Sequence, residues 1–299
     1  MKNLVYDKIA LEKNYKETLL QELLDKKYAK LFKYKNQKSI NRLKRFKQIL
    51  KLHGIDETIK EIIFADFNEL NNLKNTYGVI TLSFTDKEFI EKSLYKEVRN
   101  KFGYKLVELL NLKVCPYCNR NYIVNFNKTN TTVQLDHFYD KSSYFYLAIS
   151  LYNLIPSCSI CNLRKSKKDD EILYPYLDNF DDLVNFKYEG INSNSLLNFF
   201  HPQRVKLSIS SINNKVQNSI NIFNINELYQ EHRDIVSEIL KRKEMYPKSR
   251  IDELYNQYVG KLFNSKDELI GLINCNYIEK EKINQRPLSK LTKDILEQI

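Results

Sequence analysis

The sequence predicts an α+β fold in which mostly helical flanks surround a small metal-stapled core. Three observations predict it: the first 54 residues carry apolar side chains at helical spacing and no proline, two Cys-x-x-Cys pairs follow, and β-rich segments lie between those pairs. With 42% apolar and 12% aromatic residues, the chain of 299 residues has ample material for a buried core. The predicted domains are a helical region with a basic helix at 1–105, the core at 106–185 and a mainly helical region at 186–299.

Local patterns predict the elements of the N-terminal region. Apolar residues at helical spacing within 1–54 predict two helices with a break near 34–39, and residues 56–73 predict a third helix. An extended segment or loop is expected at 77–84. The spacing of Thr85 and Glu88 is that of a capping box, which predicts a helix that begins there and runs towards Phe102.

The core is predicted to contain two strands and a helix. Residues 119–127 and 131–138 are β-rich, and the polar residues between them predict a hairpin turn. Ser157 is the predicted N-cap of the helix that follows. Because neighbouring residues of a strand point to opposite faces, Asp136 and His137 can share a site only if the strand ends there.

After residue 168 the sequence returns to a mixture of short strands and helices. Alternating segments around 183–188 and 204–212 predict strands, and apolar residues within 228–240 and 251–262 predict helices. No internal repeat or low-complexity linker is present. The C-terminal region is therefore predicted to be mainly helical.

Four of the five cysteines form a set suited to a metal. Two Cys-x-x-Cys pairs offer four thiolates, the number that tetrahedral structural zinc takes, so none is left for chemistry. The 39 residues between the pairs exceed the spacing of about 15–20 in compact zinc ribbons, so the site must enclose a supersecondary unit. The fifth cysteine, Cys275, is predicted to pack in the core. The predicted zinc ligands are Cys115, Cys118, Cys158 and Cys161.

The order Cys-x-x-Cys, Asp-His, Asn-Leu and Cys-x-x-Cys-Asn resembles the HNH nucleases, which have a ββα-metal core. The resemblance covers about residues 115 to 168. The strings Leu135-Asp-His-Phe-Tyr and Leu147-Ala-Ile-Ser-Leu-Tyr-Asn-Leu-Ile-Pro-Ser-Cys158 are most similar to HNH subunits that accompany ATPases in bacterial anti-phage systems, the Septu type among them. The resemblance implies a metal-dependent DNA endonuclease that is the effector of such a system and works with a separate ATPase.

The resemblance also implies a role for each polar residue of the core. Phosphodiester hydrolysis needs an activated water and a cation that absorbs charge on the phosphate. His137 is the expected general base, because imidazole titrates near neutral pH. Asp136 and Asn162 are expected to supply oxygen ligands for Mg²⁺ or Mn²⁺, and Asn153 is expected to bond across the loop and hold the strand of His137. His201 is the second candidate for the base.

The net charge of +11 is concentrated in one stretch. Between residues 26 and 51 the chain has eleven Lys and Arg residues and no acidic residue. This window is either a phosphate-tracking surface for DNA, with RNA not excluded, or an exposed helix that docks an acidic partner or only meets solvent. Basic residues after the second cysteine pair contact phosphates or form a solvated face. The residues predicted to contact nucleic acid are Lys44, Arg45, Lys47, Lys165 and Lys167.

Composition argues against several classes of protein. No apolar stretch follows Met1 and Lys2, and the most apolar run of the chain is interrupted by polar residues, so neither a signal peptide nor a membrane span is expected. A cytoplasmic location is therefore predicted. The Gly-x-x-x-x-Gly-Lys loop is absent, so this chain is not expected to be the ATPase. The alternative function, of a different class, is a zinc-stapled nucleic-acid-binding or assembly module without catalysis.

Overall fold

The computed structural model describes residues 3–23, 37–127, 131–168, 170–190 and 201–299, with the side chains of 20–23 and 37–41 outside that description. These residues form helices and short antiparallel strands, so the α+β prediction is confirmed. Within the described ranges, no helix is both long enough and apolar enough to cross a bilayer. Most of the basic window before residue 42 lies outside the described side chains.

The chain folds as two compact units. The first unit comprises Val5–Asn111 and Val124–Asp169, and the second comprises Met1–Leu4, Leu112–Ile123 and Asp170–Ile299. The three consecutive domains expected from the sequence stay a prediction.

Helices form most of the N-terminal part of the first unit. They are α1 (Lys8–Leu23), α2 (Gln37–Leu52), α3 (Ile59–Phe64), α4 (Phe67–Tyr77), α5 (Phe84–Glu88), a π-helix (Phe89–Tyr95) and α6 (Lys96–Leu109). The single helix predicted at 56–73 is two helices, because Asp66 caps α4. Its carboxylate accepts hydrogen bonds from the backbone N–H groups of Asn68 and Glu69 at 2.9 and 3.1 Å.

Helix α5 begins earlier than the sequence predicted. Ser83 is the N-cap, since its hydroxyl accepts a hydrogen bond from the backbone N–H of Asp86 at 3.2 Å and donates one to the Asp86 carboxylate at 2.7 Å. The prediction that Thr85 opens the helix was therefore wrong. Ser83 and Asp86 have the same capping spacing two residues earlier, and helical structure continues past Phe102 to Leu109.

A two-stranded sheet and a helix complete the first unit. They are β1 (Gln134–His137), β2 (Leu154–Ser157) and α7 (Ser159–Lys165), with short 3₁₀ turns at Phe145–Leu147 and Leu151–Asn153. Strand β1 pairs antiparallel with β2, and His137 lies opposite Leu154. The predicted hairpin is confirmed only in part: Asn125 and Thr131 form an antiparallel bridge, the predicted turn at 128–130 lies outside the described residues, and β1 pairs with β2 rather than with 119–127. All four residues of β2 are buried, so their backbone groups need the partner that β1 provides.

The second unit is mainly helical and contains the other sheet. Its elements are α8 (Phe180–Leu183), β3 (Lys187–Gly190), β4 (Val205–Ser208), α9 (Asn214–Ile222), α10 (Ile225–Gln230), α11 (Arg233–Met245), α12 (Lys248–Tyr258), α13 (Lys266–Ile273) and α14 (Ser289–Glu297), with 3₁₀ turns at Pro202–Arg204 and Lys280–Gln285. Strand β3 pairs antiparallel with β4. The alternating segments predicted strands near these positions but not their pairing. The helix predicted across 228–240 is interrupted between α10 and α11.

Buried ion pairs fix α14 within the second unit. The Nζ atom of Lys290 lies 2.7 Å from Asp294 and 3.1 Å from Asp181, and Lys293 lies 2.9 Å from Asp181. The backbone N–H of Phe186 donates to the Asp294 carboxylate at 2.8 Å. Each of the four charged residues is buried, so the network satisfies charges that would be costly alone.

Replacing Lys290 should therefore destabilise the second unit strongly. Lys290→Met leaves a carboxylate buried without its counter-charge, and we expect the free energy of unfolding to fall by about 3–5 kcal/mol. Lys280→Met is the matched control, because Lys280 pairs with Asp182 at 3.3 Å on the exposed surface and should cost at most about 1 kcal/mol. Chemical denaturation measures both, and equal effects would contradict the assigned role of Lys290.

Candidate metal centre and candidate active site

The four cysteines of the two pairs lie together. Their Sγ atoms are all within 4.8 Å of one another, and all four residues are buried. Zinc–sulfur bonds of about 2.3 Å in a tetrahedron separate the sulfurs by about 3.8 Å, so the donor set and its spacing suit a metal ion. The cluster can hold a metal such as zinc, as the spacing in the sequence predicted.

Hydrogen bonds shape the turn of the first pair. The backbone N–H of Asn119 donates to the carbonyl of Cys115 at 2.9 Å, and Asn119 has the left-handed φ of 48°. The buried Asn119 side chain accepts from the backbone N–H of Lys290 at 3.0 Å. Tyr229 donates its hydroxyl to the Cys118 carbonyl at 2.6 Å. These hydrogen bonds therefore help to hold the turn that presents both thiols.

The second pair begins α7. Cys158 is the N-cap, and its Sγ accepts from the backbone N–H of Cys161 at 3.5 Å. The prediction of Ser157 as N-cap was wrong, because Ser157 is the last residue of β2 and pairs with Gln134. A sulfur that already accepts a backbone N–H is oriented for a metal ligand role, and the direct succession of β2 and α7 fixes the position of both thiols.

His137 is the last residue of β1, so the condition for sharing a site with Asp136 is met. Its Nε2 atom lies 2.9 Å from the carbonyl oxygen of Ala148. A carbonyl can only accept a hydrogen bond, so Nε2 carries the proton and the neutral imidazole has its lone pair on Nδ1. The fold therefore selects one tautomer of this histidine.

Burial keeps the His137 imidazole uncharged. The pKa of His137 is lowered to about 3, mainly by this desolvation and also by the ammonium groups of Lys141 and Lys165, whereas the hydrogen bond to Ala148 and the charge of Asp140 act to raise it. The side chain is thus uncharged at about pH 7, and it does not titrate near neutral pH, contrary to the expectation from the sequence.

Asp136 is also buried, and its counter-charge is Lys165. The Nζ atom of Lys165 lies 3.7 Å from Oδ2 of Asp136 and donates to the backbone carbonyl of His137 at 2.7 Å. Only 1% of Lys165 is exposed. Both interpretations of Lys165 from the sequence, a phosphate contact and part of a solvated face, require an exposed ammonium. Neither describes Lys165, because its ammonium reaches inwards from α7 to the end of β1.

Asn153 holds the connection between β1 and β2. Its Oδ1 accepts from the backbone N–H of Tyr139 at 2.7 Å, and its Nδ2 donates to the carbonyls of Tyr139 and Leu147 at 3.0 and 2.9 Å. The Asn153 carbonyl accepts from the N–H of Phe138 at 2.9 Å. One buried side chain thus ties both ends of the loop next to His137.

The other predicted residues of α7 are more accessible. Asn162 lies on α7 and is half-buried, and Lys167 is exposed beyond the end of the helix. Ser166, with a left-handed φ of 45°, ends α7 directly after Lys165. The helix therefore presents Asn162 and Lys165 at different depths.

Tyr95 is a site residue that sequence patterns did not predict. Its ring centroid lies 4.5 Å from that of His137, and its hydroxyl donates to the Leu135 carbonyl at 2.9 Å. Burial raises the pKa of the Tyr95 hydroxyl. Tyr95 is the last residue of the π-helix, a rare element that often occurs at functional sites. No local signal links it to residues some forty positions later.

The remaining candidates lie outside this cluster. His201 is exposed in the second unit, before β4. Cys275 is exposed, so the prediction that it packs in the core was wrong. It lies with a left-handed φ of 52° in the turn that follows α13. Neither residue belongs to the metal cluster.

Helix α2 contains the basic residues that the structure describes in the charged window. Lys44, Lys47 and Lys51 are exposed, and no ion pair to them occurs among the described side chains. Arg45 lies 3.3 Å from Asp86, and its guanidinium carbon is 4.4 Å from the centroid of the Phe89 ring. Carboxylates distant in sequence therefore neutralise part of the window.

Removal of the metal should unfold the region that carries the cysteines. We expect about one zinc per chain, because four thiolates complete a tetrahedral shell and the binding energy contributes to folding. Cys115→Ser should lose the zinc and lower the unfolding temperature, whereas the exposed Cys275→Ser should change neither. Elemental analysis and thermal unfolding measure this, and a metal-free protein of unchanged stability would contradict it.

No protein-family model, no curated protein and no solved structure matches this chain. The resemblance stated from the motifs has therefore no support from a matched relative. A function has to be inferred from the residues, distances and burial of the site itself.

Proposed function

We propose that this protein is a metal-dependent endonuclease of the HNH type that hydrolyses phosphodiester bonds in DNA. The observation that carries the proposal is the succession of β1, β2 and α7, with Asp136 and His137 at the end of β1 and Asn162 on α7. The four-cysteine cluster supports it, since its second pair begins the same helix. A binding module alone would need neither the Asp-His pair nor Asn162.

His137 is the general base of the proposed reaction. Its Nδ1 lone pair accepts a proton from the attacking water, and the Ala148 carbonyl, 2.9 Å from Nε2, stabilises the imidazolium that forms. The anionic phosphate of a bound substrate would raise the pKa of this buried ring, because a negative charge nearby favours the protonated form. Asn153 is a positioning residue that holds the loop next to His137.

Asp136 and Asn162 are the proposed ligands of a divalent cation. A carboxylate oxygen and an amide oxygen are hard donors, which suit Mg²⁺ or Mn²⁺. The cation, when bound, would absorb negative charge on the phosphate and on the departing oxygen. Asp136 would supply the negative charge of this site, and the position of α7 would set how deeply the Asn162 side chain is buried.

A non-catalytic nucleic-acid-binding or assembly module is the second candidate. One observation favours it: Asp136 and His137 are only 3% and 6% exposed, so a substrate reaches them only if the neighbouring groups move. A four-cysteine cluster that binds zinc for a purely structural purpose would be equally consistent with the burial of Asp136 and His137. Cleavage assays separate the two candidates.

DNA is proposed to contact the exposed face of α2. Lys44, Lys47 and Lys51 recur along one side of the helix, opposite the buried Phe46 and Leu50. Exposed ammonium groups in such a row bind phosphates by releasing counterions. Arg45 contributes less, because Asp86 already compensates part of its charge.

A separate ATPase is the proposed partner in bacterial antiviral defence. The resemblance of the core to HNH subunits of such systems supports this, together with the absence of a phosphate-binding Gly-x-x-x-x-Gly-Lys loop from the chain. Association of the two purified proteins, measured by light scattering, tests the partnership.

Substitution of the base should abolish cleavage. For His137→Ala we expect the rate of DNA cleavage in Mn²⁺ to fall at least about 100-fold, because a general base contributes that much or more. Zinc content and DNA affinity should stay unchanged, since the base acts on water. His201→Ala is the control and should cleave normally. If His137→Ala retains activity above this limit, His137 is not the base.

Charge reversal on α2 should weaken binding to all DNA sequences alike. The Lys44→Glu, Lys47→Glu and Lys51→Glu triple variant should lower affinity equally on unrelated duplexes, because phosphate contacts carry no sequence information. Each lost contact should reduce the slope of log K against log salt by about 0.9. Fluorescence anisotropy at several salt concentrations measures both effects.

The matched control reverses three exposed lysines elsewhere in the first unit, Lys13, Lys16 and Lys60. It makes the same change in net charge and should have a much smaller effect on affinity. If the α2 variant binds DNA normally but no longer associates with a partner protein, α2 is a docking surface instead.

A further inference from the structure

Lys165 is a buried lysine whose ammonium group contacts two residues of the proposed active site. Lysine is almost never fully buried unless it is paired, and only 1% of Lys165 is exposed. Its Nζ atom contacts the last two residues of β1, the backbone carbonyl of His137 and the side chain of Asp136. These are the proposed base and the proposed cation ligand.

The two contacts of the ammonium differ in kind. The 2.7 Å separation from the His137 carbonyl is a short charge-assisted hydrogen bond. The 3.7 Å separation from Oδ2 of Asp136 exceeds hydrogen-bonding distance, so this contact is mainly Coulombic. Lys165 therefore fixes the end of β1 tightly while it neutralises the carboxylate without locking it.

A divalent cation at Asp136 and the Lys165 ammonium would interact with the same carboxylate. Both are positive, both would lie in a region of low dielectric constant, and their repulsion would weaken metal binding. Without a metal, however, the ammonium stabilises the buried Asp136 carboxylate, because removing one partner of a buried ion pair is strongly destabilising.

We propose that Lys165 is the counter-cation of the active site in the metal-free protein, and that a divalent cation binds to Asp136 in competition with it. The proposal rests on the proposed function, which makes Asp136 a metal ligand. Lys165 sets the metal concentration at which the nuclease becomes active, and its bond to the His137 carbonyl keeps the base in place at low metal concentration.

The charge of Lys165 can be tested separately from its hydrogen bond. Lys165→Gln keeps a donor for the His137 carbonyl but removes the charge, Lys165→Arg keeps the charge, and Lys167→Gln removes an exposed lysine of the same segment. The full-length, zinc-loaded variants are titrated with Mn²⁺ by calorimetry without DNA. Thermal unfolding is recorded with and without Mn²⁺.

We expect Lys165→Gln to bind Mn²⁺ at least about tenfold more tightly than the unaltered protein, because a unit positive charge near the ligand is lost. Its metal-free form should unfold at a lower temperature and gain more from Mn²⁺. Lys165→Arg and Lys167→Gln should resemble the unaltered protein. The added substitution Asp136→Ala should abolish the tight binding.

A merely structural Lys165 would lower stability without tightening Mn²⁺ binding, and that result overturns the proposal. If Lys165→Gln fails to fold, Lys165→Met with Asp136→Asn removes both charges and should fold better than Lys165→Met alone; no such rescue also overturns it. Metal-dependent cleavage by the unaltered protein with unchanged Mn²⁺ affinity in Lys165→Gln would refute this inference and leave the proposed function standing. Absence of both cleavage and Mn²⁺ binding in every variant refutes both.

Discussion

The candidate site depends on how two adjacent polar side chains are buried at the end of one short strand. Asp136 and His137 are almost fully enclosed, and enclosing such groups without partners costs several kcal/mol. The partners come from two directions: Lys165 reaches in from α7, and the Ala148 carbonyl meets the imidazole from the loop between β1 and β2. The position of α7 and the path of that loop follow from this requirement.

Asn153 shows how the same requirement stabilises a sheet of only two strands. An isolated two-stranded sheet is marginal in water. The Asn153 side chain closes the loop from inside by bonding to the backbone of Tyr139 and Leu147, which leaves these buried groups satisfied. The loop can then stay buried, and its fixed path carries Ala148 to the imidazole of His137. Loop geometry, strand pairing and the tautomer of His137 are thus one linked arrangement.

The sequence predicted the features that depend on spacing. Four cysteines in two pairs meet, because this follows from residue types a fixed distance apart. The end of the strand at His137 was only a condition for a shared site, and strand pairing decides it. Features decided by tertiary contact were missed. Serine is a residue type that often caps helices, yet Ser157 pairs with Gln134 of β1 and is the last residue of β2. Arg45 has no acidic neighbour in its window, yet the fold brings Asp86 to it. The burial of Lys165 has no local signal, because a lysine at a helix end usually meets water.

Two of the buried lysines, Lys290 and Lys165, differ in how closely their ammonium groups contact carboxylates. Lys290 lies within 3.1 Å of two carboxylates, which have further short bonds to Lys293 and to the Phe186 N–H. These short ion pairs hold α14 in position. The Nζ atom of Lys165, by contrast, lies 3.7 Å from the Asp136 carboxylate and donates its short hydrogen bond, at 2.7 Å, to the backbone carbonyl of His137. A carboxylate whose counter-charge lies at this distance can exchange the ammonium for a metal ion, as the proposed role of Asp136 requires.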